Sequence, residues 1–160
     1  MIILVETIKT PDDFESAIEL AMQITLDRHI ETGFLYEPIS HKILTPIYIG
    51  NKSGVDLDRV SMKEKRDLGD WGSFHTHTEE ENYTDCNFSE HDIVTALNYK
   101  EWEVMVGCPS KNEIVIGNLM DYDLDEEEEM FPDDDEIDKE LAQQILQDNE
   151  IFIKRKWKKD

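Results

Sequence analysis

The stretch Trp71-Gly72-Ser73-Phe74-His75-Thr76-His77-Thr78 decides how the chain is read. Its approach is small and apolar, as suits a buried strand. On a strand, residues two apart project from the same face, so His75 and His77 aim their imidazoles the same way, with α-carbons roughly 6.6 Å apart. Both rings can then reach one ion at metal–nitrogen distances of about 2.0 Å. The same alternation also describes a half-exposed polar strand face, so the pair must be judged by its surroundings.

Downstream, Phe88 to about Tyr99 reads as a helix opened by Ser89-Glu90-His91-Asp92. Ser89 serves as N-cap, Asp92 as its capping-box partner, and Phe88 with Ile93 as a hydrophobic staple. A helix N-terminus beside a strand end also fixes a carboxylate and a hydroxyl together, so Asp92 is equally a candidate third ligand. His91 is an alternative ligand, but one position away on a helix it points about 100° apart, so only one of the two faces a metal. Strands follow at Glu103–Cys108 and Glu113–Gly117, separated by the turn Pro109-Ser110-Lys111-Asn112.

Upstream, residues Met1 to Ile8 read as a strand. Thr10-Pro11-Asp12-Asp13 places a capping hydroxyl and a first-turn proline ahead of an amphipathic helix running to about Arg28. Its stripe of Phe14, Ile18, Ala21, Met22 and Thr25 is core. Glu31–Glu37 and Lys42–Ile49 read as strands joined at Pro38-Ile39-Ser40, and Val55–Asp70 is polar, irregular and assigned no chemistry. Residues 1–118 therefore form one domain of α/β (α+β) class. Residues 119–160 add an acidic segment, a helix from Asp135 to Asp148 and a basic C-terminal tail.

The chain of 160 residues carries 38 acidic and 16 basic side chains, a formal net charge of -22. A field of that sign repels phosphates, which makes nucleic acid and anionic membrane surfaces poor partners. Thirteen acidic residues fall between Asp121 and Glu140, while Lys154, Arg155, Lys156, Lys158 and Lys159 crowd the end. This segment reads either as a regulatory or docking tail or as a solubilising one. Cys86 and Cys108, the two cysteines, form no close-spaced pair, so neither a disulfide framework nor a Cys-rich zinc module is expected. Cys86 reads as a regulatory thiol near the site or as an ordinary loop cysteine. No apolar run approaches the roughly 20 residues that span a bilayer. The start lacks the basic flank of a signal peptide. The expectation is a soluble, unprocessed cytoplasmic protein.

His75-x-His77 followed by Ser89-x-x-Asp92 is similar to the H-x-H…S-x-x-D signature of JAMM (MPN+) metallopeptidases, of prokaryotic or viral type. That family places a glutamate at the start of the strand after its first helix, and Glu31-Thr32-Gly33-Phe34-Leu35 stands there. The resemblance covers roughly Pro11 to Gly117. It departs from the family at Thr78, where proline is usual, and in the eleven residues from Thr78 to Phe88, where about seven are usual. What the resemblance implies is a JAMM/MPN-like mixed sheet flanked by helices, with cytidine-deaminase-like layering. It implies His75, His77 and Asp92 as ligands of Zn2+, Glu31 as general base and Ser89 as oxyanion stabiliser. The residues alone also allow Glu37 or Glu6 as base. The implied substrates are proteins or peptides, such as conjugates of ubiquitin-like modifiers. A catalytically silent MPN-type scaffold or binding module is the alternative, and oligomeric state is not legible.

Overall fold

The computed structural model describes residues 6–52, 54–59, 71–78, 86–99, 101–119, 135–147 and 152–158. Helix α1 (Phe14–Arg28) begins where the Asp13 side chain accepts the Ser16 N–H at 2.9 Å. Thr10, the expected cap, instead donates its hydroxyl to the Thr45 carbonyl at 2.7 Å, so the helix starts later than the proline suggests. It ends at His29, whose left-handed backbone (φ 56°) reverses the chain and delivers Glu31 to the sheet.

The sheet contains β1 (Thr7–Ile8), β2 (Thr32–Tyr36), β3 (Ile47–Ile49), β4 (Gly72–Thr76), β5 (Glu103–Cys108), β6 (Glu113–Asn118) and β7 (Phe152–Lys156). Their order is β1-β3-β2-β4-β5-β6-β7. β4 and β5 run parallel and the other neighbours antiparallel. The parallel pair is bridged by α2 (Glu90–Asn98), as a crossover requires. β3 is shorter than the predicted 42–49, because Pro46 has no N–H to give to a ladder and only an isolated bridge joins Tyr36 to Ile43.

Alternation divides the core between the two faces of the sheet. Phe34, Phe74 and Met105 pack against Phe14, Ala17, Ile18, Ala21 and Met22 of α1. On the opposite face Val104, Val106, Cys108 and Val115 meet Ile93, Ala96 and Leu97 of α2, with Ala142 and Ile145 of α3 (Asp135–Gln147). The result is a mixed seven-stranded sheet flanked by helices.

Two expectations are corrected here. The segment 119–160 is not wholly an appendage to a domain ending at 118: α3 buries two side chains in the second core, and the basic stretch Phe152–Lys156 pairs with β6 as the seventh strand. Alternating Ile153 and Arg155 with lysines hid a strand inside a charge run. The cysteines are also not separate thiols, for Cys86 and Cys108 form a disulfide across 22 residues. The fold brings the lead-in to α2 beside the end of β5, a proximity their spacing does not reveal. That pairing removes both the regulatory-thiol reading of Cys86 and the argument from unpaired thiols for a reducing compartment. Among the described residues no helix is long and apolar enough to cross a membrane. Residues 1–5 of the predicted strand 1–8, most of the irregular stretch before Trp71, residues 79–85 of the long acidic loop and residues 120–134 of the acidic segment lie outside the described residues.

Candidate metal centre

The register of β4 against its neighbours sets the site. Gly33 of β2 pairs with His75, and carrying that antiparallel register two residues further brings Glu31 level with His77. The Glu31 backbone is pinned on both sides: its N–H donates to Asn51 O and its carbonyl accepts from Gly50 N–H, both at 2.8 Å. His77, one residue past the strand end, is fixed by its N–H donating to Gly107 O at 2.8 Å. Gly33 is needed by close approach. A Cβ there would sit 2.5 Å from Phe74 O and 2.7 Å from the Leu57 side chain, which covers this face.

Beneath the two histidines a buried hydroxyl cluster locks three elements together. Thr76 Oγ1 lies 2.6 Å from Thr25 Oγ1 of α1 and accepts the Thr32 N–H at 2.8 Å, while Thr32 Oγ1 donates to Ala21 O at 3.0 Å. Thr76 stands between the histidines and Thr32 follows Glu31, so the cluster fixes the strand that carries His75 relative to the strand that follows Glu31. A buried hydroxyl left unpaired costs on the order of 1–3 kcal/mol, which holds such a cluster to one arrangement.

The third group comes from the start of α2. The Asp92 N–H donates to Ser89 Oγ at 3.1 Å and the Ser89 N–H to Asp92 Oδ2 at 2.8 Å, a complete capping box. Phe88 and Ile93, the expected staple, are both buried in the adjoining core. The cap and ligand readings of Asp92 coexist. His75 Nε2 lies 3.1 Å from Asp92 Oδ1, His77 Nε2 lies 3.1 Å from Asp92 Oδ2, and the two Nε2 atoms are 3.1 Å apart. Ligands placed tetrahedrally at about 2.0–2.1 Å from a metal ion are about 3.3 Å from one another, so the donor set has the spacing of a cation seat. Neutral imidazole nitrogens and a carboxylate present lone pairs to one another at that spacing unless a cation or protons lie among them. Burial pushes the Asp92 carboxyl up, but the charge and hydrogen bonds of His75 and His77 outweigh it and hold the group well below the usual carboxylate range. The buried histidines and Asp92 can hold a metal ion.

Glu31, His75, His77, Ser89 and Asp92 all line one cavity of about 470 Å3. Glu31 is itself buried, which sets it apart from the solvated Glu6. Glu37, the other rival as base, accepts the Ile39 and Ser40 N–H groups of its own turn. His91 reaches the cavity rim but is exposed and outside the convergent set. Ser89 accepts a hydrogen bond through its oxygen, which leaves its own hydrogen for a ligand. Sequence reasoning missed Arg59 and Glu101. Arg59 lines the same cavity, and Glu101 is buried behind it. Arg59 falls in the irregular stretch and Glu101 after the predicted helix, so neither carries a local signal. The chain matches no model of a known protein family and no curated protein sequence.

Proposed function

We propose that the protein is a zinc-dependent metallopeptidase or isopeptidase of the JAMM type, acting on a peptide or isopeptide bond. The observation that carries this reading is the convergence of five separately positioned side chains on one cavity, three of them at ligand spacing and Glu31 and Ser89 beside them. A mixed sheet with a helix on one face and a strand–helix–strand crossover at the site also suits the JAMM/MPN fold. When bound, zinc supplies Lewis acidity, polarising a carbonyl and bringing the pKa of water from about 15.7 toward about 7.

The residues of the chain would do the rest. The Glu31 carboxylate accepts a proton from the attacking water and passes it to the leaving nitrogen as the C–N bond breaks. Ser89 donates its hydroxyl hydrogen to the carbonyl oxygen as negative charge develops there. Asp92 is oriented by the Ser89 N–H, and the Thr25–Thr32–Thr76 cluster keeps base and ligands in register. The substrates this reading implies are proteins or peptides, conjugates of ubiquitin-like modifiers among them.

Metal analysis of the purified chain is expected to find close to one zinc per molecule, and His77→Ala to abolish it. Glu31→Gln should retain zinc while turnover of isopeptide-linked and linear peptide substrates falls about 100- to 10,000-fold. A zinc-free wild type of undiminished stability would favour the scaffold reading instead. A Glu31→Gln variant with wild-type turnover would place the base elsewhere.

A further inference from the structure

Arg59 lines the cavity two residues after Leu57, whose side chain lies over Gly33. Its Nε lies 3.4 Å from Glu101 Oε2, and its Nη2 donates to Ser73 Oγ at 3.4 Å. The Glu101 side chain is 0% exposed and that of Arg59 14%. Ser73 stands two residues before His75, on the same face of β4, so the guanidinium sits about 7 Å along the strand from the first ligand.

A carboxylate shut away from water as Glu101 is must be offset by a cation, so the pair fixes where the guanidinium lies. Both contacts use one edge of the fork, Nε and Nη2. Among the described residues no contact engages Nη1, so Nη1 and the second Nη2 hydrogen form the edge left for a ligand. Arg59 is the one lysine or arginine among the described residues that line the cavity, whose other charged walls are Glu31 and Asp92. The whole chain carries a net charge of -22 and repels an anion at long range. A purely structural ion pair has no need to face the chamber that holds the base and the ligands.

We propose that Arg59 is a specificity-determining residue that binds a carboxylate of the substrate, set about two residues of extended chain from the bond to be cut. The inference rests on the peptidase reading of the cavity for its last clause. The planar fork matches a carboxylate in two parallel hydrogen bonds, which an amide of the same shape cannot accept equally. Charge-assisted bonds of this kind correspond to about a tenfold to hundredfold preference for acid over amide.

The test uses the full-length, zinc-loaded Glu31→Gln protein, which binds without cleaving, and three probes measured by calorimetry. These are acetyl-Gly-Gly-Gly-Glu-amide, its Gln analogue as amide, and the Gln analogue with a free C-terminus; the first and third separate a side-chain carboxylate from a terminal one. One acidic probe is expected to bind at least about tenfold tighter than the neutral peptide, with the preference lost in Arg59→Gln and partly kept in Arg59→Lys. Should Arg59→Gln fail to fold with Glu101 unpaired, the double variant Arg59→Gln/Glu101→Gln removes both charges and gives the same readout. Equal affinity for all three probes, or a preference that survives Arg59→Gln, overturns the assignment. A chain that prefers the acid through Arg59 but hydrolyses no peptide would sink the peptidase reading and leave Arg59 standing. An active enzyme indifferent to the carboxylate would do the reverse.

Discussion

The two faces of β4 are made of neighbouring residues and held by different forces. Phe74 and Thr76 turn toward α1, where Phe74 is fully buried among aromatic and aliphatic side chains and Thr76 closes a hydroxyl cluster. Ser73 and His75, with His77 just beyond, turn toward the cavity, where each meets a polar or charged partner. Burial on the α1 face removes apolar surface from water and supplies stability. The cavity face spends some of it, because imidazoles, a carboxylate and an ion pair are taken out of water to be held in place. The contrast teaches that stability and chemistry are separable on this strand at a spacing of one residue.

The separation can be broken most forcefully at Phe74. Phe74→Ala should cost about 3–5 kcal/mol in denaturant unfolding, the usual loss for a fully buried ring, while metal stoichiometry measured below the transition stays that of the wild type. His77→Ala should show the opposite pattern. If Phe74→Ala kept its fold and lost the metal, the two faces would be one unit.

The disulfide sharpens the comparison from the cavity side. It closes a loop that contains Ser89 and Asp92, with its two cysteines 22 residues apart. Replacing both cysteines by serine should lower stability by about 3 kcal/mol on loop-closure grounds. It should also weaken metal binding in a competition titration, since Asp92 loses its tether to β5. Metal affinity equal to wild type would show that the capping box alone fixes Asp92.

The smallest effect at neutral pH belongs to Tyr36, which packs with Phe14 and Phe34 and donates its hydroxyl to Glu103 at 2.5 Å. Burial, with the charges of Glu103 and Glu101, pushes its pKa well above the ordinary tyrosine value. A folded pKa above the unfolded value of about 10 means that this contribution is complete below about pH 10 and is lost as pH rises above it. The melting temperature of the wild type should therefore fall more steeply above about pH 10 than that of Tyr36→Phe. Equal slopes would place the alkaline loss in other groups.

Much of the fold and most of the candidate site were legible in the chain. Phe88, Ser89, Asp92 and Ile93 announce a helix start, His75 and His77 share a strand face by their spacing, and Glu31 follows the first helix directly. Each of these signals lies within a few residues, where backbone geometry dictates side-chain direction. The same locality explains the errors. Thr10 was a plausible cap until Asp13 proved the nearer one, and the lysines and arginine of Phe152–Lys156 concealed an edge strand.

By itself the sequence determined most of the elements and their order, and it singled out His75, His77 and Asp92 as a candidate ligand set. Only the tertiary structure decided that Cys86 meets Cys108, that Arg59 and Glu101 pair behind the cavity, that β7 completes the sheet, and that Thr25, Thr32 and Thr76 share their hydroxyls. The physical reason is the range of the information. Period and capping act through neighbours in the chain, whereas these contacts join distant segments whose meeting depends on strand register and packing, which no local pattern records.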